Sequence, residues 1–238
     1  MDWTKAAIFG ASGGIGASLT RVVANTGSPV LAGSRSGKVP QCPNITPFRF
    51  DLADEASIAD AVAGWDSDPP DLVIVASGVL TMPDGTGPER SLRHIAPDVM
   101  AQMLQINTVG PAIIAKHVLP ILPRDRPATF AALSARVGSI GDNRIGGWHS
   151  YRASKAALNM LIRNFAIEMG RTHKQACIVS LHPGTVDTGL SKPFQSNLPQ
   201  GQLTDADEAA ANLLGVLAGL EPRDSGAILD WKGSIVPA

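Results

Sequence analysis

Residues Ala7–Leu19 read AIFGASGGIGASL: a short apolar run, a glycine-rich turn, then the opening of a segment with helical spacing. An apolar run that stops at glycine suits a buried strand entering a tight turn, and the three- and four-residue spacing that follows suits an amphipathic helix. Gly10, Gly14 and Gly16 punctuate the turn. A strand-to-helix turn without side chains lets the backbone approach a pyrophosphate lying against the positive helix N-terminus. Glycine turns that hold no ligand exist as well, so the rest of the chain has to decide.

Working outward, six further β-rich runs follow KAAIF: PVLAG, ITPFRF, DLVIVA, ATFAAL, ACIVSL and GAILDW. Between them lie GGIGASLTRVVANTG, DEASIADAVAGW, PDVMAQMLQINTVGPAIIAKHVLPIL, YRASKAALNMLIRNFAIEMGR and TDADEAAANLLGVLAGL, all with helical periodicity. Alternation of this kind implies right-handed crossovers, and near-continuous apolar strands imply burial on both faces. The chain is therefore expected to form one α/β domain over residues 1–238, a doubly wound Rossmann fold with a seven-stranded, mostly parallel sheet and helices on both faces. Two stretches escape the regular pattern, SGVLTMPDGTGPERSLRHIAP after the fourth strand and HPGTVDTGLSKPFQSNLPQGQ after the sixth. Ligands of open α/β sheets bind beyond the carboxyl ends of the strands, so these long loops are the candidate substrate walls and lid.

Composition narrows the partners. The formal net charge is −1 and the basic residues are scattered, which gives no electrostatic reason to expect nucleic acid or an anionic membrane. Small-molecule ligands are expected. The longest apolar runs fall far short of the roughly 20 residues that span a bilayer. No basic-then-apolar leader precedes the first strand, so a cytoplasmic protein is expected. Cys42 and Cys177 stand apart, without CxxC or HExxH, and suggest neither a disulfide framework nor a metal site.

The second strand ends in Ser34 and Arg35, where a carboxylate would accept hydrogen bonds from an adenosine ribose. An arginine there can form a charge-assisted pair with a 2′-phosphate, so NADP(H) is favoured over NAD(H), although a solvated surface arginine has the same pattern. After the third strand Asp51 and Leu52 could border the adenine; Asp51 reads equally as a helix N-cap.

Tyr151, the only tyrosine, precedes Lys155 by four residues in YRASKAALNM, which places both on one helix face. A free phenol titrates near about 10, and a nearby ammonium favours the phenolate, lowering that value toward the working range. Such a phenol could give a proton to a carbonyl oxygen, or take one from an alcohol, while hydride moves to or from a nicotinamide. A tyrosine closing a core beside a snorkelling lysine is the plain alternative.

Taken together, these motifs resemble the short-chain dehydrogenase/reductase family over essentially the whole chain. GASGGIG resembles its cofactor loop, VASGVL stands at its Asn-Asn-Ala-Gly-type motif, Asn107 in LQINTVGP matches its central-helix asparagine, YRASK its Tyr-x-x-x-Lys, and HPGTVDTGL its Pro-Gly loop. SARVGSI, GGW and the terminal LDWKGSIVP look most like the branch of bacterial C-factor and small carbonyl reductases. The resemblance implies that Tyr151, Lys155 and Asn107 form the catalytic set, that Lys155 also holds the nicotinamide ribose, and that Asn107 keeps a water in a proton relay. It adds Ser12 and Ile15 in the glycine loop and Ala76 and Gly78 in VASGVL to the cofactor site, and places Pro183, Val186 and Thr188 beside the nicotinamide.

One position departs. The family's serine at the end of the fifth strand falls on Ala135 in LSARVG. Because alternate strand residues face opposite sides, Ser134 could replace it only if the strand end is bulged or turned. Ser139 is a second candidate, and a site without serine a third; Ser134 is taken as the catalytic one. Val75, Ala76 and Ser77 replace the polar Asn-Asn-Ala, which removes hydrogen bonds that join strands in the family. Met82, Pro83, Trp148, His149, Leu190 and Phe194 are the expected pocket walls. The leading expectation is an NADP(H)-dependent carbonyl reductase or alcohol dehydrogenase. Its rival is a C-factor-like signalling protein that binds the nucleotide with little turnover, and a third reading is a structural subunit. The resemblance further implies a homodimer or homotetramer.

Overall fold

The computed structural model describes residues 3–196, 198–199 and 201–238. Seven strands form one parallel sheet in the order β3-β2-β1-β4-β5-β6-β9: β1 Ala6–Phe9, β2 Val30–Ser34, β3 Ile45–Arg49, β4 Leu72–Val75, β5 Ala128–Leu133, β6 Ala176–His182 and β9 Ile228–Asp230. All seven apolar runs read from sequence lie in this sheet. Two short strands, β7 Thr185–Val186 and β8 Leu203–Thr204, pair with each other and tie the ends of the second long loop. A two-residue strand has too little periodicity to be read from sequence.

Every residue of β1, β4 and β5 is buried, as expected of strands covered on both faces. One face carries α1 (Gly14–Asn25) and α6 (Ala206–Ala218), packing Leu19, Val23, Leu213 and Leu217 on Ile8 and Ile74. The other carries α2 (Glu55–Val62), α4 (Gly110–Val118) and α5 (His149–Met169), packing Ile58, Ile114, Leu158 and Ile162 on Phe9, Val75 and Phe130. Pro47 sits within β3, where its missing N–H is tolerated because β3 is the edge strand. Strand order reverses between β1 and β4, and the crevice of such a sheet opens beyond the carboxyl ends of those strands.

The single long helix expected over residues 97–122 stays helical over 97–118 but contains a π-turn. α3 (Pro97–Leu104) and α4 are joined by a π-turn over Gln105–Val109. The wider turn rotates the helix face and delivers Asn107 to the interior, a device common at functional sites. The N-cap of α2 is Asp54, whose carboxylate accepts from Ala56 N, so Asp51 is not that cap. No helix among the described residues is long and apolar enough to cross a membrane.

Candidate active site

A cleft of about 440 Å³ opens at the reversal point, lined by Gly10, Ser12, Ser34, Arg35, Asp51, Leu52, Ala76 and Gly78 from the sequence-derived set. Gly13, Phe50, Ala53, Ser77, Val79 and Ile106 complete it and were missed, being ordinary neighbours of the motifs. Gly10 is left-handed, with φ +95°, and a β-carbon on it would come within 2.6 Å of Ser77 Oγ. A β-carbon on Gly16 would stand 2.1 Å from the Gly10 carbonyl oxygen. The turn is thus closed to side chains, and no side chain caps α1 and no acid occupies its first turn. An uncapped helix N-terminus over a bare cradle fits the pyrophosphate of a dinucleotide. Arg35, exposed and in no ion pair among the described residues, borders the cleft beside Ser34. Asp51 lies there too, its Oδ1 accepting from Ala53 N at 2.9 Å.

A second cavity, of about 220 Å³, adjoins the nicotinamide end expected for that cleft. It brings together Ile15, Tyr151, Ser134, Pro183, Val186, Thr188, Trp148, Leu190 and Phe194 from the expected residues. Gly14 lies beneath, where a β-carbon would meet Thr188 Cγ2 at 2.5 Å. Three expected walls stand elsewhere. Met82 is core, packed with Leu80, Met103 and Tyr151, while Pro83 and His149 do not line the cavity. Alternation explains His149: it precedes Tyr151 by two helical positions, about 200° around α5. His182, Leu80, Arg136 and Val137 line it and were missed. Burial pushes the His182 imidazole down to about 4, so it is neutral at ordinary pH.

Tyr151 is 7% exposed and Lys155 4%. The Lys155 ammonium donates to the Leu133 carbonyl at 2.8 Å and lies 5.9 Å from the Tyr151 ring centroid. Burial pushes the phenol up to about 12 and the ammonium down to about 8. The lowered phenol expected from sequence is therefore not what the protein alone displays: the lysine's hydrogen bond goes to the backbone, and desolvation dominates both groups. Asn107 is fully buried. Its Nδ2 donates to the Val79 carbonyl and its Oδ1 accepts Val79 N–H, both at 2.8 Å, which clamps the VASGVL strand end to the π-turn. Its Nδ2 also reaches Ser154 Oγ at 3.1 Å, one residue before Lys155. Ala76 N donates to Phe9 O at 2.7 Å, which continues the regular β1–β4 ladder.

Ser134 and Ala135 both line the cavity, and Ala135, where the family's serine falls, packs against the Tyr151 cluster, so Ser134 and a site without serine both fit the structure. Ser134 N continues the ladder to the Leu181 carbonyl at 2.7 Å, so no bulge intervenes. Alternation then sets Ser134 on the face of Ala132 and Phe130, which pack with Leu158 and Ile162 of α5. The requirement of a bulged or turned strand does not hold. Ser134 Oγ is buried without a protein partner, whereas Ser139 Oγ accepts from Asp142 N at 3.0 Å away from the cavity.

A doubly wound sheet with a bare glycine cradle at its reversal point and a buried tyrosine–lysine pair beside it defines a nicotinamide-nucleotide oxidoreductase. The chain belongs to the short chain dehydrogenase family, whose profile matches residues 4–199. It is thus an NAD(P)-dependent dehydrogenase or reductase. It is 35% identical to C-signal of Myxococcus xanthus over 138 residues, 58% of this chain and 78% of that protein. It is 34% identical over 139 residues to 1-hydroxy-2-glutathionyl-2-methyl-3-butene dehydrogenase of Rhodococcus sp. strain AD45, the match spanning 58% of each chain. NADPH-bound carbonyl reductase from chicken fatty liver superposes with a TM-score of 0.86 at 26% identity, over the whole of both chains. Carbonyl reductase Sniffer of D. melanogaster shares the fold, with a TM-score of 0.85 at 21% identity over the whole of both chains.

Proposed function

We propose that this protein is an NADP(H)-dependent carbonyl reductase or alcohol dehydrogenase with Tyr151 as its acid/base group. The observation that carries the reading is Tyr151 itself, a buried phenol lining a mainly apolar cavity next to the dinucleotide cleft. Bound nicotinamide supplies or accepts the hydride. Gly10 and Gly16 leave room for the pyrophosphate, and the exposed Arg35 would receive a 2′-phosphate, which favours NADP(H), while the Ser34 hydroxyl donates to the Lys38 carbonyl at 2.9 Å. Pro183, Val186 and Thr188, which line the cavity together with Ile15, would border the nicotinamide.

In reduction the Tyr151 hydroxyl donates its proton to the substrate oxygen, and in oxidation it takes the alcohol's proton. A protonated Lys155 would stabilise the phenolate left behind; in reduction the proton that restores the Tyr151 hydroxyl would enter from solvent through Lys155, and in oxidation a proton would leave by the same route. Ser134 Oγ, without a protein partner, donates to the developing oxyanion. Trp148, Leu190 and Phe194 suit a partly apolar carbonyl compound. A homodimer through α4 and α5 accounts for the exposure of Val109, Met160 and Ile167, and light scattering of the purified protein tests it.

The deciding experiment titrates the protein with NADPH and NADH by nicotinamide fluorescence, then follows oxidation at about 340 nm with aldehydes, ketones and quinones. Turnover in the ordinary range of about 1–10³ s⁻¹ that falls at least about a hundredfold in Tyr151→Phe, with nucleotide affinity kept, supports the reading. Tight binding without turnover on any carbonyl shifts it to a nucleotide-binding signalling protein, the reading favoured by the likeness to C-signal.

A further inference from the structure

Gly146, Gly147 and Trp148 are left-handed in succession, with φ of 68°, 66° and 52°. Glycine adopts this region freely. Trp148 is the only non-glycine residue at positive φ among the described residues, and there a β-carbon crowds the backbone. A residue held in that region needs surroundings that impose it, and such strain gathers where geometry serves function.

The imposing group is Glu89, brought in by the loop that follows β4. Its carbonyl accepts Trp148 N–H at 2.5 Å; its Oε2 accepts Ser150 N–H at 3.1 Å, and its Oε1 accepts the Ser150 hydroxyl. Glu89 is 6% exposed. Burial would raise its carboxyl, but the Ser150 hydrogen bonds and the nearby His149 hold it below the ordinary range. It supplies the negative charge that the N-terminus of α5 lacks, since the N-cap residue Trp148 has no capping side chain and no acid stands in the first turn. Arg152 Nε closes the turn from the other side on the Gly147 carbonyl at 3.0 Å.

This places the indole. Its centroid lies 6.2 Å from the Tyr151 ring at 70°, and 5.2 Å from Phe194, which belongs to the other long loop. A right-handed or extended Trp148 would redirect its Cα–Cβ bond and carry the indole off the cavity. We propose that Glu89 is a positioning residue that holds Trp148 left-handed over Tyr151, and that Trp148 so held sets the width of the substrate cavity against carbonyl compounds with a bulky substituent. The substrate half of this statement rests on the carbonyl reductase reading above; the conformational half does not.

The test uses Glu89→Gln, Trp148→Gly and the double variant. Glycine keeps the left-handed backbone without strain and removes the wall. Trp148→Gly is expected to shift the ratio of kcat/KM for a bulky aryl ketone over a small one by about tenfold toward the bulky substrate. Glu89→Gln should shift it the same way, and the double variant should match Trp148→Gly alone. Additive shifts, or an unchanged ratio in Glu89→Gln, overturn the proposal. A readout free of turnover is ¹⁹F NMR of the protein labelled with 5-fluorotryptophan at its four tryptophans. The signal lost in Trp148→Gly identifies Trp148; in Glu89→Gln it should move or broaden while those of Trp3, Trp65 and Trp231 stay. An unmoved Trp148 signal overturns the proposal even if no carbonyl is reduced, whereas a moved signal without turnover counts against the reductase reading alone. Ser150→Ala removes one of the two carboxylate bonds and should move the same signal less, which covers the case of a Glu89 variant that does not fold.

Discussion

Lys155 gives its hydrogen bond to the Leu133 carbonyl at 2.8 Å, so the ammonium is tied to the end of β5 and stands 5.9 Å from the Tyr151 ring centroid. Both groups are pushed toward their neutral forms by burial, and stability must then depend on pH. Burial pushes the Lys155 ammonium from an ordinary 10.5 down to about 8, so between these values the unfolded chain binds the extra proton and stability rises with pH. Tyr151, raised from 10 to about 12, acts oppositely above pH 10, where the unfolded chain loses a proton that the folded chain keeps. Urea unfolding at intervals from pH 8 to 10 should show wild type gaining on Lys155→Met, by on the order of 2 kcal/mol. A constant difference between the two proteins would contradict the buried ammonium.

The two serines should behave differently. Ser134→Ala is expected to lower kcat about a hundredfold with little change in NADPH affinity, because a donor to the oxyanion is lost. Ser139→Ala removes an acceptor for Asp142 N and should cost about 1 kcal/mol of stability while leaving kcat in place. Steady-state kinetics beside thermal unfolding checks both, and a reversal of the pattern assigns the role to Ser139.

Arg35→Ser should weaken NADPH by about ten- to a hundredfold, near 2 kcal/mol, and leave NADH within about twofold. Fluorescence titration with the two nucleotides measures the ratio. Equal weakening of both would show that Arg35 does not read a 2′-phosphate.

Gly16→Ala tests the cradle. A methyl group 2.1 Å from the Gly10 carbonyl oxygen and 3.3 Å from the Ala76 Cβ meets backbone that cannot swing away. The variant should lose about 1–3 kcal/mol of stability and most of its nucleotide affinity, measured by urea unfolding and fluorescence. Gly27→Ala, by contrast, meets nothing within 4 Å, and with φ +92° its cost is backbone strain alone, with nucleotide affinity retained.

The sheet was legible because parallel strands covered on both faces are written as near-continuous apolar runs such as Leu72–Val75 and Ala128–Leu133. The Tyr151–Lys155 pair was legible because four residues on a helix is a local relation, fixed by 3.6 residues per turn. The π-turn around Asn107 was not, since its sequence keeps ordinary helical periodicity and the contacts of Asn107 with Val79 join segments 28 residues apart. Met82 was misplaced for a similar reason: an apolar residue in a long loop fits a ligand wall and a satellite core equally, and only packing with Met103 and Tyr151 chooses.

The sequence by itself determined the order of strands and helices, the glycine cradle, the Ser34–Arg35 end of the cleft and the tyrosine–lysine pair, all of which rest on residues within a turn or two of one another. Tertiary structure alone decided that the strand ladder carries Ser134 to the α5 side, that Lys155 bonds the end of β5, and that Glu89 reaches across 61 residues to Ser150 and fixes Trp148. These contacts join segments far apart in the chain, and their energies depend on which groups burial strips of water. Local propensity and periodicity do not encode that.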